Sequence, residues 1–333
     1  MRLEDAAGGC VLGALIVYAV TGGADYGAGV WELLALGKSD QRERAVVEGA
    51  IGPIWEADHV WLIAAIVMLF MGFPGAFTAI CTWLHVPLLL MLLGVVLRGS
   101  AFVFRQYGSR SAAARRFWGV VFSAASIVTP FMLGMIIAAV AAGRVPGAEA
   151  AGGGSDFISP WISPFSFCVG GMALALFAFL AAVYLCLETD DAAFREAFRR
   201  RAIAAGLVSG AMAGLAFIMA RLQAPELAAR LGGAWWSAPF HMVTAASAFG
   251  ALGCLFARRY RAARLLAAAQ VALVVLGWGL AQYPFALPPS LTLTQAAAPP
   301  VVLKCLLAIF AGGLVLVAPA FAYLMTVFKR KTL

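Results

Sequence analysis

The segment Ile51–Ile63, IGPIWEADHVWLI, sets Glu56, Asp58 and His59 between Trp55 and Trp61 at the mouth of a long apolar run. Ionisable groups are costly where a chain enters a bilayer, so by default they mark a functional site. Carboxylates and water are also what membrane proton paths are built from. The plain alternative is a solvated helix end in the headgroup layer, flanked by interfacial tryptophans. Glu56 and Asp58 stand two apart and cannot share a helical face. Glu56 pairs more naturally with His59 or Val60.

A second cluster lies upstream in TGGADYGAGVWELLALG. Asp25 and Glu32 are seven apart, which puts them near one face of a helix, two turns from each other. Asp25 sits deep enough that its charge needs protein, water or a partner beside it. Gly22, Gly23, Gly27 and Gly29 thin the same helix and let a neighbouring backbone approach. Arg98, near the end of a later run, either snorkels to the surface or pairs with an acid. The three histidines, His59, His85 and His241, fall on separate runs, and nothing in their spacing requires haem or metal ligation.

Placing these residues is the work of a polytopic membrane protein. Of 333 residues, 63% are hydrophobic and 12% charged, against about 45–50% and about 25% in soluble domains. The six cysteines all lie in apolar runs without a CxxC pair, which argues against a disulfide framework or a zinc site. The net charge of +8 does not point to nucleic acid, because the basic residues punctuate apolar runs as topology determinants do. No cleavable leader is expected, since MRLED is as acidic as it is basic. Walker A, GxGxxG and HExxH patterns are absent from any fitting context.

The apolar runs predict an all-α protein of about nine transmembrane helices. Their expected limits are 7–36, 52–77, 79–103, 117–143, 160–187, 202–221, 235–257, 264–283 and 300–328, with the GFPG cluster at 72–75 as a tight turn between the second and third. Lys and Arg concentrate in alternate connections. One side carries Lys38, Arg42 and Arg44, then Arg105, Arg110, Arg115 and Arg116, then Arg195 to Arg201 and Arg258 to Arg264, then Lys329 to Lys331. The other side carries Arg144 and Arg230. That alternation puts the N-terminus outside and the C-terminus in the cytoplasm, with Glu56 and Asp58 at the cytoplasmic end of the second helix. The stretch 188–201 reads as a continuation of the fifth or the sixth helix, and 284–300 as proline-rich extended or turn geometry.

Several stretches resemble subunit II of the cytochrome bd-type quinol oxidases, including the cyanide-insensitive branch. They are TGGADYGAGVWELL, GPIWEADHVWLI, LRGSAFVFR, FAFLAAVYLCLETDD with FRRRA, and GWGLAQYPFALPPSLTLTQAAAP, in family order along nearly the whole chain. The resemblance implies a single transmembrane domain: a first four-helix bundle at about 1–143, an outer loop at 144–160, then a second bundle and a peripheral helix at about 161–333. It implies an inner-membrane complex of the bacterial respiratory chain that oxidises quinol and reduces dioxygen to water. This chain binds no haem or metal of its own in that reading. The b-type haems, and in some members haem d, sit in subunit I, its heterodimer partner. A structural quinone in some members and a small single-helix accessory subunit remain open for this chain.

The family's proton path from the cytoplasm maps onto Asp25 and Glu56, with Trp55, His59, Arg98 and Glu32 as supporting residues. Two acids of the family pattern are missing, at Gly22 and Val103. For the acid missing at Val103, Asp58 on a neighbouring helix, where the family commonly has Asn, is the candidate substitute. The competing class is a standalone proton-coupled transporter using the same acids. It would need matching broken halves, and AWWSAPFHM offers only a faint echo of the second helix.

Overall fold

The computed structural model describes residues 2–35, 55–108, 111–147 and 156–328. Helix α1 (Leu3–Ala35) opens on Glu4 and Asp5, whose charge suits the positive end of the helix dipole. Helices α2 (Trp55–Gly72) and α3 (Pro74–Trp83) follow, their axes turned by 114° at Phe73. Pro74 has no N–H to continue the ladder and starts a helix readily at its first position. Helix α4 (His85–Tyr107) begins after a second break at Leu84. The expected third helix at 79–103 is therefore corrected: α3 is a separate ten-residue helix, and the next span starts at His85.

Beyond α4 the caps are explicit. Ser111 accepts the Ala114 N–H to start α5 (Ala112–Ala141), and Ser163 accepts the Ser166 N–H to start α6 (Pro164–Glu188). Asp191 accepts from Ala193 and Phe194 to start α7 (Ala192–Gln223). The stretch after Glu188 thus belongs to the sixth expected helix, not the fifth. Arg195 reaches back to the carbonyls of Cys186 at 3.2 Å and Thr189 at 2.6 Å, which satisfies acceptors that the end of α6 leaves open. The chain continues through α8 (Pro225–Gly233), α9 (Ser237–Phe256) and α10 (Tyr260–Gln282).

The proline-rich stretch forms a small antiparallel hairpin, β1 (Phe285–Leu287) with β2 (Leu291–Thr292), before α11 (Leu293–Ala296) and α12 (Pro300–Phe328). The Tyr283–Pro284 and Pro288–Pro289 bonds are cis. Arg230 holds the hairpin, donating to the Tyr283 carbonyl at 2.9 Å with its guanidinium over the Phe285 ring. Thr294 donates to Glu4 at 3.2 Å, so this cap also closes over the start of α1. In the same loop region, Asp156 accepts the N–H groups of Ser159 and Ile158, which holds its carboxyl below the usual range.

Eight described helices are long and apolar enough to cross a membrane, and the bent α2–α3 pair makes up to nine. One core joins α1, α6, α7, α9 and α10 around Tyr26, Phe179 and Phe198. A second joins α2, α3, α5, the hairpin and α12 around Phe73 and Met135. Small residues set the closest crossings: at Gly134 of α5 an added Cβ would lie 2.7 Å from the Gly170 Cα of α6. Helix α12 packs on α1 and α2 and leaves Val301, Ile309, Val315 and Leu316 exposed.

Candidate functional site

Helix α1 carries the site, and a backbone-to-backbone approach to α6 fixes it. At Gly27 a Cβ would stand 1.9 Å from the Phe177 carbonyl oxygen, so only glycine admits this crossing. One turn on, the Trp31 indole N–H donates to the Ala178 carbonyl at 2.8 Å. Asp25 and Glu32 then face away from lipid, both 3% exposed.

Arg98 settles its two alternatives by pairing: its Nη2 is 3.5 Å from Asp25 Oδ2, and both side chains are almost fully buried. The guanidinium is further held by Ser126 Oγ at 3.3 Å and by the rings of Tyr26 at 4.7 Å and Phe122 at 5.1 Å. Glu32 has its own cation, Arg105, at 2.8 Å. The positive charges keep two carboxylates inside the protein without an uncompensated charge.

A line of hydroxyls and an imidazole adjoins this pair. Tyr18 donates to the Tyr26 oxygen at 3.1 Å, and Tyr26 Oη is 3.4 Å from His59 Nε2. Either Tyr26 or the imidazole can donate across the second contact, according to which ring nitrogen of His59 carries the proton. Asp58 is fully buried. A Cβ built at Gly22 would lie 3.6 Å from Asp58 Cβ. Asp58 therefore faces Gly22 of α1 from α2.

The side chains of Trp55 and Glu56 lie outside the described residues. Val103 is 44% exposed, on the outer surface of α4. The other two histidines take backbone roles, His85 Nδ1 against Thr82 O at 2.9 Å and His241 Nε2 against Leu231 O at 2.8 Å. Sequence reasoning missed Tyr18, Tyr26, Phe122 and Ser126, which look like ordinary apolar-run residues. It also took Arg105 only as a topology determinant, although its seven-residue interval from Arg98, the same as Asp25 to Glu32, was the signal that could have found it.

Tyr18 also reaches a cavity of about 440 Å³ between α1, α5, α6, α7, α9 and α10. Its walls are apolar, with Phe177, Phe217, Phe240 and Trp278 among them. The polar groups at its edge are engaged elsewhere, Thr244 with Phe240 O, His241 with Leu231 O and Tyr18 with Tyr26.

Comparison with known proteins agrees along the whole chain. The family model for cytochrome bd terminal oxidase subunit II matches residues 3–328. The putative cytochrome bd menaquinol oxidase subunit II of Bacillus subtilis is 25% identical over 330 residues, 96% of this chain and 94% of that one. The cytochrome bd-I ubiquinol oxidase subunit 2 of Escherichia coli is 31% identical over 122 residues, 36% of this chain and 31% of that one. A chain in the structure of bd oxidase from Geobacillus thermodenitrificans has the same fold, with a TM-score of 0.84 at 22% identity, over 98% of this chain and 99% of that one. An all-helical chain with this spanning pattern, matched from Leu3 to Phe328, belongs to the cytochrome bd terminal oxidase subunit II family.

Proposed function

We propose that the chain is the haem-free member of its complex and conducts protons inward from the cytoplasm through Glu56, Asp58 and Asp25. The family makes it a subunit of a bd-type quinol oxidase, an oxygen-reducing enzyme of the respiratory chain, and implies a subunit I partner. In this reading it sits in a bacterial inner membrane with its N-terminus outside and its C-terminus in the cytoplasm. Two four-helix bundles and the peripheral α12 hold subunit I as a heterodimer. Haem chemistry belongs to that partner.

The carrying observation is the buried Asp25–Arg98 pair beside Asp58 and the Tyr18–Tyr26–His59 chain. Reduction of dioxygen to water consumes protons, and groups able to take and release them in the membrane interior are rare and costly. Arg98 fixes Asp25 in place, while Asp58 adds a second buried acid that faces Gly22 from α2. Asp25→Asn and Glu56→Gln should each lower the oxygen consumption of the purified complex about a hundredfold or more, the range for loss of a proton-transferring group, with unchanged haem spectra. Near wild-type turnover in both variants removes the proton role.

The apolar cavity supports a structural quinone. Its volume falls in the range of small-molecule sites, about 300–1,000 Å³. With its edge hydroxyls and imidazole already engaged, it suits an isoprenoid tail better than a polar ring. Solvent extraction of the purified complex should yield a tightly held prenylquinone, and Ala216→Phe, which fills the cavity wall, should deplete it. Equal quinone content in the two preparations would exclude this cavity as the site.

A further inference from the structure

Asp25 and Glu32 on α1 repeat at the same interval as Arg98 and Arg105 on α4, and the structure pairs them rung for rung, at 3.5 Å and 2.8 Å. Two helical turns, about 10 Å, separate the rungs along the axis. Between them stands Phe122 of α5, with Arg98 at 5.1 Å and Arg105 at 5.4 Å from its ring centroid. The two carboxylates therefore belong to one line, divided by an apolar ring held between two guanidinium groups. The outer rung lies toward the helix end that the charge distribution assigns to the cytoplasm, and Arg105 is 11% exposed where Arg98 is 2%.

Val103 cannot complete this line. It is five residues from Arg98 and two from Arg105, which turns it about 140° and about 160° from them around α4. Its 44% exposure agrees. A buried ion pair gains little stability over apolar packing of equal volume, so structural support alone is a weak account of Glu32 and Arg105 in this place.

We propose that Glu32, positioned by Arg105, is the outer proton-handling carboxylate that feeds Asp25 in this chain, taking the part of the acid missing at Val103. The assignment rests on the proton reading above. Glu32 takes a proton from water at the helix end and becomes a neutral carboxylic acid. The proton then leaves through water to the Asp25 carboxylate, and Glu32 returns to its anion. Arg98 and Arg105 stay protonated throughout, and no electrons move. Phe122 is the partition that keeps the two stations from sharing bulk water.

The test uses the purified oxidase complex with Glu32→Gln, Glu32→Asp and Asp25→Asn. Glu32→Gln should lower turnover roughly a hundredfold or more, the span typical of a lost proton-transfer group, with the haem spectrum intact. Glu32→Asp should keep most of the rate, and added formate or azide, small weak acids that carry protons, should restore part of it to Glu32→Gln. Wild-type turnover in Glu32→Gln while Asp25→Asn is impaired overturns the assignment and leaves the proton path standing. Wild-type turnover in Asp25→Asn removes the path itself. Loss in Glu32→Gln with no weak-acid rescue makes Glu32 a structural residue. Should Glu32→Gln fail to assemble, the D₂O solvent isotope effect on Glu32→Asp decides: a rise supports the assignment, and an unchanged value overturns it.

Discussion

Replacing Arg98 by leucine should destabilise the subunit by about 3–5 kcal/mol, the usual cost of removing one partner of a buried ion pair. Asp25 is 3% exposed and cannot recover its charge balance from water. Arg98 also ties three elements together: α1 through Asp25, α5 through Ser126 and Phe122, and its own α4. The measurement is thermal inactivation of the detergent-solubilised complex, read by loss of the haem spectrum. The double variant Asp25→Leu/Arg98→Leu should regain most of that stability, since the paired charges leave together. Its oxygen consumption should stay low. Recovery of turnover along with stability would mean that the pair is only structural. A double variant no more stable than Arg98→Leu would mean that other groups bear most of the balance.

Gly27→Ala should be as damaging, for a different reason. Its Cβ would stand 1.9 Å from the Phe177 carbonyl oxygen and 2.4 Å from the carbonyl carbon, which are backbone atoms and cannot rotate aside. Helix α1 must then withdraw from α6, which breaks the Trp31–Ala178 hydrogen bond and displaces Asp25 from Arg98. A cost above about 4 kcal/mol is expected, in the range kept for overpacking and broken buried networks. The complex should be recovered poorly and without its usual haem content. Gly13→Ala on the same helix is the control. Nothing lies within 4 Å of its Cβ position, and Gly→Ala in a helix is worth about 0.5–1 kcal/mol in favour of the helix. Equal yields from the two variants would show that α1 can shift without loss.

The stretch 188–201 and the GFPG turn show where sequence reading reached its limit. The sequence left 188–201 open between the fifth and the sixth helix, and the Asp191 cap and the Arg195 clasp on the Cys186 and Thr189 carbonyls assign it to the sixth. At 72–75 the expected turn is present, and what the residues did not show is that the helix after it ends at Trp83. Proline and glycine state that a helix must break, while the direction after the break depends on what α3 packs against. Here Ala76, Ala79 and Trp83 are buried in the second core, and the chain turns by 114° to bury them.

The sequence by itself determined that this is a polytopic helical membrane protein with acids at costly depths, because hydrocarbon admits almost no other reading of such runs. It also determined the family, through motifs spread from TGGADYGAGVWELL to GWGLAQYP. The tertiary structure decided which cation belongs to which acid, since residues 73 positions apart meet only through the packing of α1, α4 and α5. It decided that Asp58 faces Gly22, a relation between two helices with no trace in either one alone. It joined Tyr18, Tyr26 and His59 into one chain, because a hydroxyl in an apolar run acquires a role only when a partner stands within about 3 Å.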